Sequence, residues 1–232
     1  MSASDLARPI VEMKSISIEF PGVKALQDVD FRLLPGEVHA LMGENGAGKS
    51  TLIKALTGIY AIDAGTIVVD GTEVSFASPE QAQAAGVSTV YQEVNLCGNL
   101  SVAENVMLGQ ESRTGPLINW RATRRAAKEH LDRMGLDLDP ASKLSSHSLA
   151  IQQLVAICRA TSVDCKVLVL DEPTSSLDAD EVQTLFTVIR GLRDRGVAVL
   201  FVSHFLDQVY EIADRITVLR NGHLIGEYPV AE

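Results

Sequence analysis

One segment constrains the fold of this chain more than any other: a glycine-rich stretch at residues 43–51 that reads GENGAGKST. An apolar run at residues 38–42 precedes it, and a helical pattern at residues 52–56 follows it. In such a strand–loop–helix unit the glycines let the backbone point its N–H groups at phosphate oxygens, and the helix dipole adds to that field. The segment therefore predicts a nucleoside triphosphate site. A glycine-rich turn with a chance lysine is the alternative.

Every member of this loop is a predicted nucleotide-binding residue. Lys49 supplies a point charge that can bridge the terminal phosphates, and the Ser50 hydroxyl is placed to ligate the magnesium ion that bridges them too. The predicted ligands are therefore ATP and Mg²⁺. The residues expected to bind the nucleotide are Gly43, Glu44, Asn45, Gly46, Ala47, Gly48, Lys49, Ser50 and Thr51.

A second apolar run, at residues 167–170, ends in two carboxylates, Asp171 and Glu172. A buried parallel strand there would place both acids at the carboxyl edge of the sheet, beside the phosphate loop. Asp171 would hold the magnesium through water and Glu172 would polarise the attacking water, because phosphoryl transfer needs positioning and charge stabilisation more than covalent chemistry. Structural carboxylates at strand ends are common, so the catalytic interpretation depends on the phosphate loop.

The composition narrows the class of protein. The chain has 232 residues, enough for one large α/β domain, and its three cysteines lie outside any CxxC spacing, which favours a reducing compartment. No apolar stretch reaches the roughly 18–20 residues that a membrane span requires. We therefore expect a cytoplasmic protein that meets a membrane only through a partner. The net charge of −10 disfavours nucleic acid as a partner, although residues 121–128 form a local basic patch or the solvated face of a helix.

The hydrophobic pattern predicts an antiparallel β lobe. Residues 10–20 and 26–34 alternate apolar and polar side chains around Pro21-Gly22, and residues 66–74 form a hairpin around Asp70-Gly71. A similar hairpin is expected near the C-terminus, at residues 216–228.

Short, nearly continuous apolar runs predict parallel strands that are covered by helices on both faces. These runs lie at residues 87–91, 167–170 and 197–202. Residues 95–161 contain no such strand and show helical periodicity instead, which predicts a helical insertion within one folding unit. Its expected helices cover residues 102–108, 121–134 and 149–160.

The order of the motifs resembles the ATP-binding subunits of ABC transporters, and the resemblance covers residues 10–228. Phe20 sits where that family has the aromatic that stacks on adenine, and Gln92 matches the loop glutamine that reaches magnesium and couples to the membrane partner. Asp178, in Ser-Leu-Asp, resembles the D-loop, and His204 resembles the switch histidine that contacts the terminal phosphate. The resemblance thus assigns catalysis to Glu172, His204 and Gln92, and magnesium binding to Ser50, Gln92 and Asp171.

This resemblance implies an α/β fold, a P-loop NTPase (RecA-like) core with an antiparallel β lobe and a helical insertion. One ABC ATPase domain would cover residues 1–232, with the core at 8–94 and 162–230 and the helical subdomain at about 95–161. The implied partners are membrane permease subunits, a second ATPase half and, indirectly, a periplasmic sugar-binding protein. The implied location is peripheral, on the inner face of the plasma membrane.

Residues 20–26, 203–210 and 214–222 resemble the first half of the tandem ATPases of bacterial monosaccharide importers, and residues 152–160 are most similar to the galactofuranose type. The family's Leu-Ser-Gly-Gly-Gln signature is degraded here. Its place is taken by His147, Ser148, Leu149, Ala150 and Ile151, which keep the serine but replace the second glycine by Ala150 and the glutamine by Ile151. We expect Ala150 to resist a positive φ and to add a methyl group where phosphate approaches, unless it is helical, and Ile151 to remove a polar partner. The isolated chain should then bind ATP but hydrolyse it slowly.

Two other classes compete with a transport ATPase. A soluble ABC-type ATPase acting on nucleic acid or ribosomes is disfavoured by the acidic charge and by the lack of zinc modules, coiled coils or basic arms. A P-loop kinase is disfavoured by the series Gln92, Asp178 and His204. Within the leading interpretation, the membrane partner should contact residues 93–108.

Overall fold

The computed structural model describes residues 8–92 and 95–230. In chain order, the strands are β1 Val11–Phe20, β2 Val23–Leu33, β3 Val38–Met42, β4 Ala64–Val69, β5 Thr72–Val74, β6 Val87–Val90, β7 Arg113–Thr114, β8 Leu117–Ile118, β9 Val167–Asp171, β10 Ala198–Val202, β11 Arg215–Arg220 and β12 His223–Pro229. The helices are α1 Lys49–Leu56, α2 Pro79–Ala84, α3 Val102–Val106, α4 Trp120–Arg133, α5 Leu149–Ala160, α6 Ala179–Asp194 and α7 Leu206–Ile212, with a 3₁₀ turn at Leu144–Ser146.

The central sheet has six strands in the order β12-β11-β3-β10-β9-β6. Strands β11, β3, β10, β9 and β6 are parallel to one another, and only β12 is antiparallel to its neighbour β11. Their side chains are buried on both faces, which explains why the sequence shows continuous apolar runs rather than alternation. The predicted α/β fold with a P-loop NTPase core is confirmed.

The antiparallel lobe is a four-stranded sheet in the order β2-β1-β4-β5. The Pro21-Gly22 and Asp70-Gly71 turns join its hairpins where the sequence predicted them. The C-terminal hairpin, which shows the same sequence pattern as the hairpins of the lobe, lies in a different sheet. It does not belong to the lobe, because β11 pairs with β3 and so extends the central sheet.

Two apolar layers cover the central sheet. On one face Val38, Leu170 and Phe201 pack with helices α3 to α7, and on the other face Leu41 and Val169 pack with α1 and the antiparallel lobe. Side chains of the helical insertion and of the core share the first of these layers. Among the described residues, no helix has the length and apolar character needed to cross a membrane.

The helical insertion contains the three predicted helices, with bounds that agree with the sequence to within two residues at each end. Their starts have the expected caps: Ser101 and Glu104 form a capping box, and Asn119 and Ser148 accept hydrogen bonds from the first turns of α4 and α5. The insertion also has one feature that the pattern did not reveal. Strands β7 and β8 form a two-stranded hairpin of two residues each.

Candidate nucleotide-hydrolysis site

The predicted site residues follow neighbouring parallel strands at one edge of the central sheet. Val202 pairs with Leu41 on one side and with Asp171 on the other, and Val90 pairs with Leu170 on the next strand. The carboxyl ends of β3, β10, β9 and β6 therefore lie side by side, and the segments that follow them meet there. This register brings together the phosphate loop, Asp171, Glu172 and His204, with Gln92 two residues beyond β6.

The phosphate loop has the backbone geometry that its glycines suggest. Gly43, Gly46 and Gly48 have φ values of 153°, 81° and 107°. A Cβ atom on Gly48 would lie 2.8 Å from Leu26 Cδ2 and 2.9 Å from the Ala25 oxygen, so this loop packs tightly against β2. At Gly46, by contrast, an added Cβ would meet nothing within 4 Å. The loop is thus held from behind and open in front, as an anion cradle requires.

The polar groups of this loop are available to a ligand. Among the described residues, the amides of Asn45, Gly46 and Gly48 have no hydrogen-bond acceptor in the protein. The Lys49 ammonium group is buried and donates to the carbonyl oxygens of Gly43 (2.6 Å) and Glu44 (3.1 Å). Glu44 and Ser50 are exposed, Thr51 is half-buried in the first turn of α1, and Ala47 is buried beneath the loop. Free amides beside a lysine fit a polyphosphate.

Asp171 ends β9 and faces the loop. Burial and the neighbouring Glu172 charge raise the pKa of Asp171 above its ordinary value, and Lys49 and Lys54 oppose that shift. A desolvated carboxylate next to a second acid favours a cation, which would relieve both effects.

Glu172 has a left-handed backbone, with φ 48°. Its amide donates to the Val202 oxygen (2.9 Å), which fixes this conformation, and its Oε1 lies 3.3 Å from His204 Nδ1. A non-glycine residue in this region costs on the order of 1–3 kcal/mol, and such residues cluster at functional sites. Glu172 and His204, which are 20% and 51% exposed in their side chains, form a hydrogen-bonded acid–imidazole pair that solvent can reach.

The donor set also fits a divalent metal that is shared with a nucleotide. Among the described residues there is no group of three His, Cys, Asp or Glu side chains that could hold a metal by itself. A hydroxyl at Ser50 and a carboxylate at Asp171 are hard oxygen donors, and phosphate oxygens would complete their number. Mg²⁺ prefers such mixed sites.

The remaining predicted residues occupy more peripheral positions. Gln92 is exposed, with no hydrogen bond to a described residue. Phe20 is half-buried at the end of β1, and its ring meets Tyr60 edge-on with centroids 5.1 Å apart. Tyr60 lies under the Lys54 ammonium group, 5.1 Å from the ring centre. The contact with Tyr60 was not predicted, and no local sequence signal indicates it.

Asp178 has a structural role that the D-loop resemblance did not show. Its Oδ1 accepts from the Glu181 amide (2.9 Å), and Glu181 Oε2 accepts from the Asp178 amide (3.2 Å), so the two residues form the capping box of α6. The spacing of Asp178 and Glu181 was a readable signal for this helix.

The signature segment forms the first turn of α5, with Ser148 as its N-cap and Leu149 61% exposed. One step of the sequence analysis is wrong here. Ala150 is helical, it is absent from the residues with positive φ, and it is only 5% exposed. Its methyl group therefore does not strain the backbone and is buried within this chain. Ile151 is half-buried against the apolar layer, so the lost polar side chain at this position remains the meaningful departure.

Sequence analysis missed the support of the phosphate loop by the C-terminal hairpin. The Gly222 amide donates to the Ala47 oxygen (3.1 Å), and the Gly222 oxygen accepts from the Gln27 amide (2.8 Å). The hairpin is anchored below this turn because Arg215 pairs with Glu37 (2.5 Å) and with Glu227 (2.8 Å). This network joins the two strands of the hairpin to Glu37, which precedes β3 and is distant from them in sequence.

Comparison with known proteins agrees with this geometry. The family model described as ABC transporter matches residues 26–175. The chain is 66% identical to a fructose import ATP-binding protein of Bifidobacterium longum, over 94% of this chain and 43% of that protein. It is 52% identical to a galactofuranose transporter ATP-binding protein of Escherichia coli, over 96% of this chain and 45% of that protein. It is 49% identical to a ribose import ATP-binding protein of Rubrobacter xylanophilus, over 94% and 44% of the two chains.

These relatives are longer proteins, and the chain spans less than half of their length. Among solved structures, the ADP conformation of an ATP-binding cassette of an ABC transporter matches with a TM-score of 0.86 and 26% identity, covering 96% of this chain and 92% of that one. A dimeric bacterial ABC transporter cassette shares the fold, with a TM-score of 0.79 at 23% identity over 96% and 99% of the two chains. Since the family model matches more than half of its residues, the chain belongs to the ABC transporter family of ATP-binding domains.

Proposed function

We propose that this chain is the ATP-binding and ATP-hydrolysing part of an ABC importer for a monosaccharide. Domains of this family are ATPases. One observation supports the assignment most strongly: the register of β3, β10, β9 and β6 aligns the phosphate loop, Asp171, Glu172 and His204 at one sheet edge. That arrangement suits a reaction that depends on positioned charge.

The roles of the residues follow from their geometry. The free amides of the loop and Lys49 hold the triphosphate, which requires that Lys49 exchange its two carbonyl acceptors for phosphate oxygens. Glu172 accepts a proton from, or orients, the attacking water, and His204 faces the terminal phosphate while bonded to Glu172. Magnesium, when bound through Ser50, Asp171 and Gln92, supplies charge neutralisation between the phosphates. Phe20, beside Tyr60, offers a ring face to the adenine base.

Full activity requires a second, different ATPase half, either in the same polypeptide or in a dimer. The chain spans only 43–45% of three sugar import relatives, and its own signature retains Ser148 but has Ile151 in place of a polar residue. Ser148 uses its side chain to cap α5, accepting from the Ile151 amide at 3.4 Å. We therefore expect the isolated chain to bind ATP with little turnover.

The membrane permease would dock in a cleft beside the Gln92 segment. This cleft has a volume of about 690 Å³ and lies between the open edge of β6, helix α2 and helix α5. Ser88 and Thr89 of β6 line it, but their hydroxyl oxygens are buried, so the exposed polar side chains Glu80 and Gln83 of α2 would supply its polar contacts. Leu108, which is 38% exposed, lies at its rim. Of the predicted contact segment 93–108, Glu93 and Val94 lie outside the described residues.

The sugar itself is not indicated by any residue of this chain, because a membrane channel and a periplasmic sugar-binding protein would contact it. The galactofuranose assignment remains a prediction, and the fructose import relative is more similar, at 66% against 52% identity. Fructose, galactofuranose and ribose are all monosaccharides, so the proposal is limited to that shared class.

Steady-state phosphate release tests the proposal. The isolated chain should bind MgATP and release phosphate slowly, and it should speed up when assembled with its second half and permease. Fast turnover by the isolated chain, at the rate of an assembled transporter, would contradict the need for a second half. Phosphate transfer to a small acceptor in step with ATP consumption would contradict the transport assignment.

The docking cleft is tested separately by Leu108→Asp in the assembled transporter. A charge at this apolar rim should reduce transport while MgATP affinity of the chain stays unchanged, since Leu108 lines the cleft at edge strand β6, whereas the phosphate loop follows β3. The matched control is Ile225→Asp on β12, at the opposite edge of the sheet and 54% exposed. Loss of MgATP affinity in Leu108→Asp would argue against this placement.

A further inference from the structure

A local basic surface departs from the acidic character of the chain. Residues 113–128 contain five basic and no acidic residues, whereas the chain as a whole has 20 basic and 30 acidic residues. Four of the five are arginines on hairpin β7–β8 and on the first turns of α4, and all four are exposed. We call them the arginine face: Arg113, Arg121, Arg124 and Arg125.

The arginine face contributes little to the close contacts of the fold. Within the described part of the chain, none of its guanidinium groups forms a hydrogen bond or a close ion pair with a carboxylate, although hydrogen bonds and, to a lesser extent, the charges of Arg124 and Arg113 lower the pKa of Glu104 and of Glu111. Lys128 differs, because it pairs with Asp132 (3.0 Å) and Asp137 (3.1 Å). The buried side of α4 is formed instead by Thr123, Ala127 and Leu131. All four guanidinium groups are therefore available for short-range contacts with a partner outside the chain.

The positions of these arginines also lower the stability of helix α4. Helix α4 has no acidic residue in its first turn, where the dipole favours negative charge. Arg121, Arg124 and Arg125 are three and four residues apart on one helix face, where like charges repel. Residues that break local rules are typical of functional surfaces.

Two large apolar side chains lie beside these arginines. Leu117 is 72% exposed on hairpin β7–β8, and Trp120, the only tryptophan of the chain, is 42% exposed at the start of α4. Tryptophan is enriched at the level of lipid headgroups, because its ring is apolar and its N–H needs a polar partner. Arginine with exposed tryptophan and leucine matches an anionic bilayer surface better than it matches duplex nucleic acid, whose phosphates need no apolar contact.

The surface is close in the chain to the proposed permease cleft. Gln110 lines that cleft and donates to Ser162 Oγ (3.2 Å), and Arg113 follows three residues later. If the permease docks in the cleft, the arginine face is carried toward the same membrane.

We propose that the arginine face, with Leu117 and Trp120, binds the anionic phospholipid headgroups of the membrane next to the permease. This rests on the proposed function for the position of the membrane, but its chemistry is tested without a permease. Each arginine near an anionic surface strengthens binding by about fivefold at low salt, and the effect is screened within about 10 Å at 0.1 M salt.

Vesicle binding by the whole chain tests this proposal. Cosedimentation with phosphatidylcholine vesicles, with and without phosphatidylglycerol, should show binding only to the anionic vesicles and only at low salt. Trp120 fluorescence should shift to shorter wavelength in the same titration. The triple variant Arg121→Gln, Arg124→Gln, Arg125→Gln should bind on the order of 100-fold more weakly.

The control removes the same charge from exposed residues elsewhere: Arg8→Gln, Lys14→Gln and Lys143→Gln. It should bind vesicles like the wild type. The proposal is overturned if the folded wild type shows no preference for anionic vesicles, if the control loses binding as strongly, or if duplex RNA binds the arginine face more tightly than the vesicles do. MgATP affinity, measured in parallel, tests the ATPase assignment independently, because the arginine face lies on β7 and α4 and includes no residue of the β3–α1 segment that forms the phosphate loop.

Discussion

The turn at Asn221-Gly222 supports the phosphate loop, and Gly222→Ala should weaken nucleotide binding as well as stability. Its backbone is left-handed at both residues, with φ 49° and 77°. The turn at Asp70-Gly71 is a close match, with φ 48° and 74°, but it lies on the antiparallel lobe and does not contact the loop. Gly71→Ala is therefore the control.

The two substitutions share one cost and differ in another. Placing alanine in the left-handed region costs roughly 1–2 kcal/mol in each. At Gly222 the added Cβ would also lie 2.8 Å from the Ala25 oxygen, whereas at Gly71 it would meet only the flexible Arg8 side chain. Displacing the turn weakens the Gly222–Ala47 hydrogen bond, which is worth about 0.5–1.5 kcal/mol. If the loop loses that support, MgATP affinity falls by about 2- to 12-fold.

Thermal unfolding and MgATP titration measure these effects. Both variants should have a lower Tm, by about 2–4 °C for each kcal/mol in a domain of this size. Only Gly222→Ala should bind MgATP more weakly. Wild-type affinity in Gly222→Ala, or an equal loss in Gly71→Ala, would refute a supporting role for this turn.

Three further predictions follow from the site and the core. Glu172→Gln should keep MgATP binding and lower phosphate release by at least about 10²-fold. Unchanged turnover would show that Glu172 does not act on the attacking water. Asp171→Asn should raise the Tm of the nucleotide-free chain more at neutral than at acidic pH. Burial and the Glu172 charge raise the pKa of Asp171 in the folded state, so ionisation of this carboxyl destabilises the fold as the pH rises. An equal gain in Tm at both pH values would contradict this. Burial raises the pKa of Cys158 to about 12 and that of Cys165 to about 11, so only the exposed Cys97 should react quickly with a thiol reagent; three equally fast thiols would contradict it.

Features carried by short segments were predictable from the sequence. The phosphate loop needs glycines at fixed places, and a buried strand ending in Asp171 and Glu172 has an unbroken apolar run, so both were found with their elements. Hairpins with Asp-Gly or Asn-Gly turns were found for the same reason. The bounds of α5 matched because Ser148 caps its first turn.

What the sequence did not reveal depends on contacts between distant segments. The pairing of β11 with β3, and the hydrogen bond from Gly222 to Ala47, join residues that no local pattern connects. Strands β7 and β8, of two residues each, are too short to show alternation. The interpretation of Ala150 failed because a motif comparison gives the residue type at a position but not its backbone conformation, which here is helical.

Calorimetric titration of the chain and of Lys49→Ala with MgATP is the most direct test of the central claim, that main-chain amides and Lys49 at this sheet edge bind a triphosphate. The wild type should show one saturable transition, and Lys49→Ala should bind at least about tenfold more weakly, because it loses a charge-assisted hydrogen bond worth about 1.5–3 kcal/mol. No saturable binding by the folded wild type, or unchanged affinity in Lys49→Ala, would contradict it.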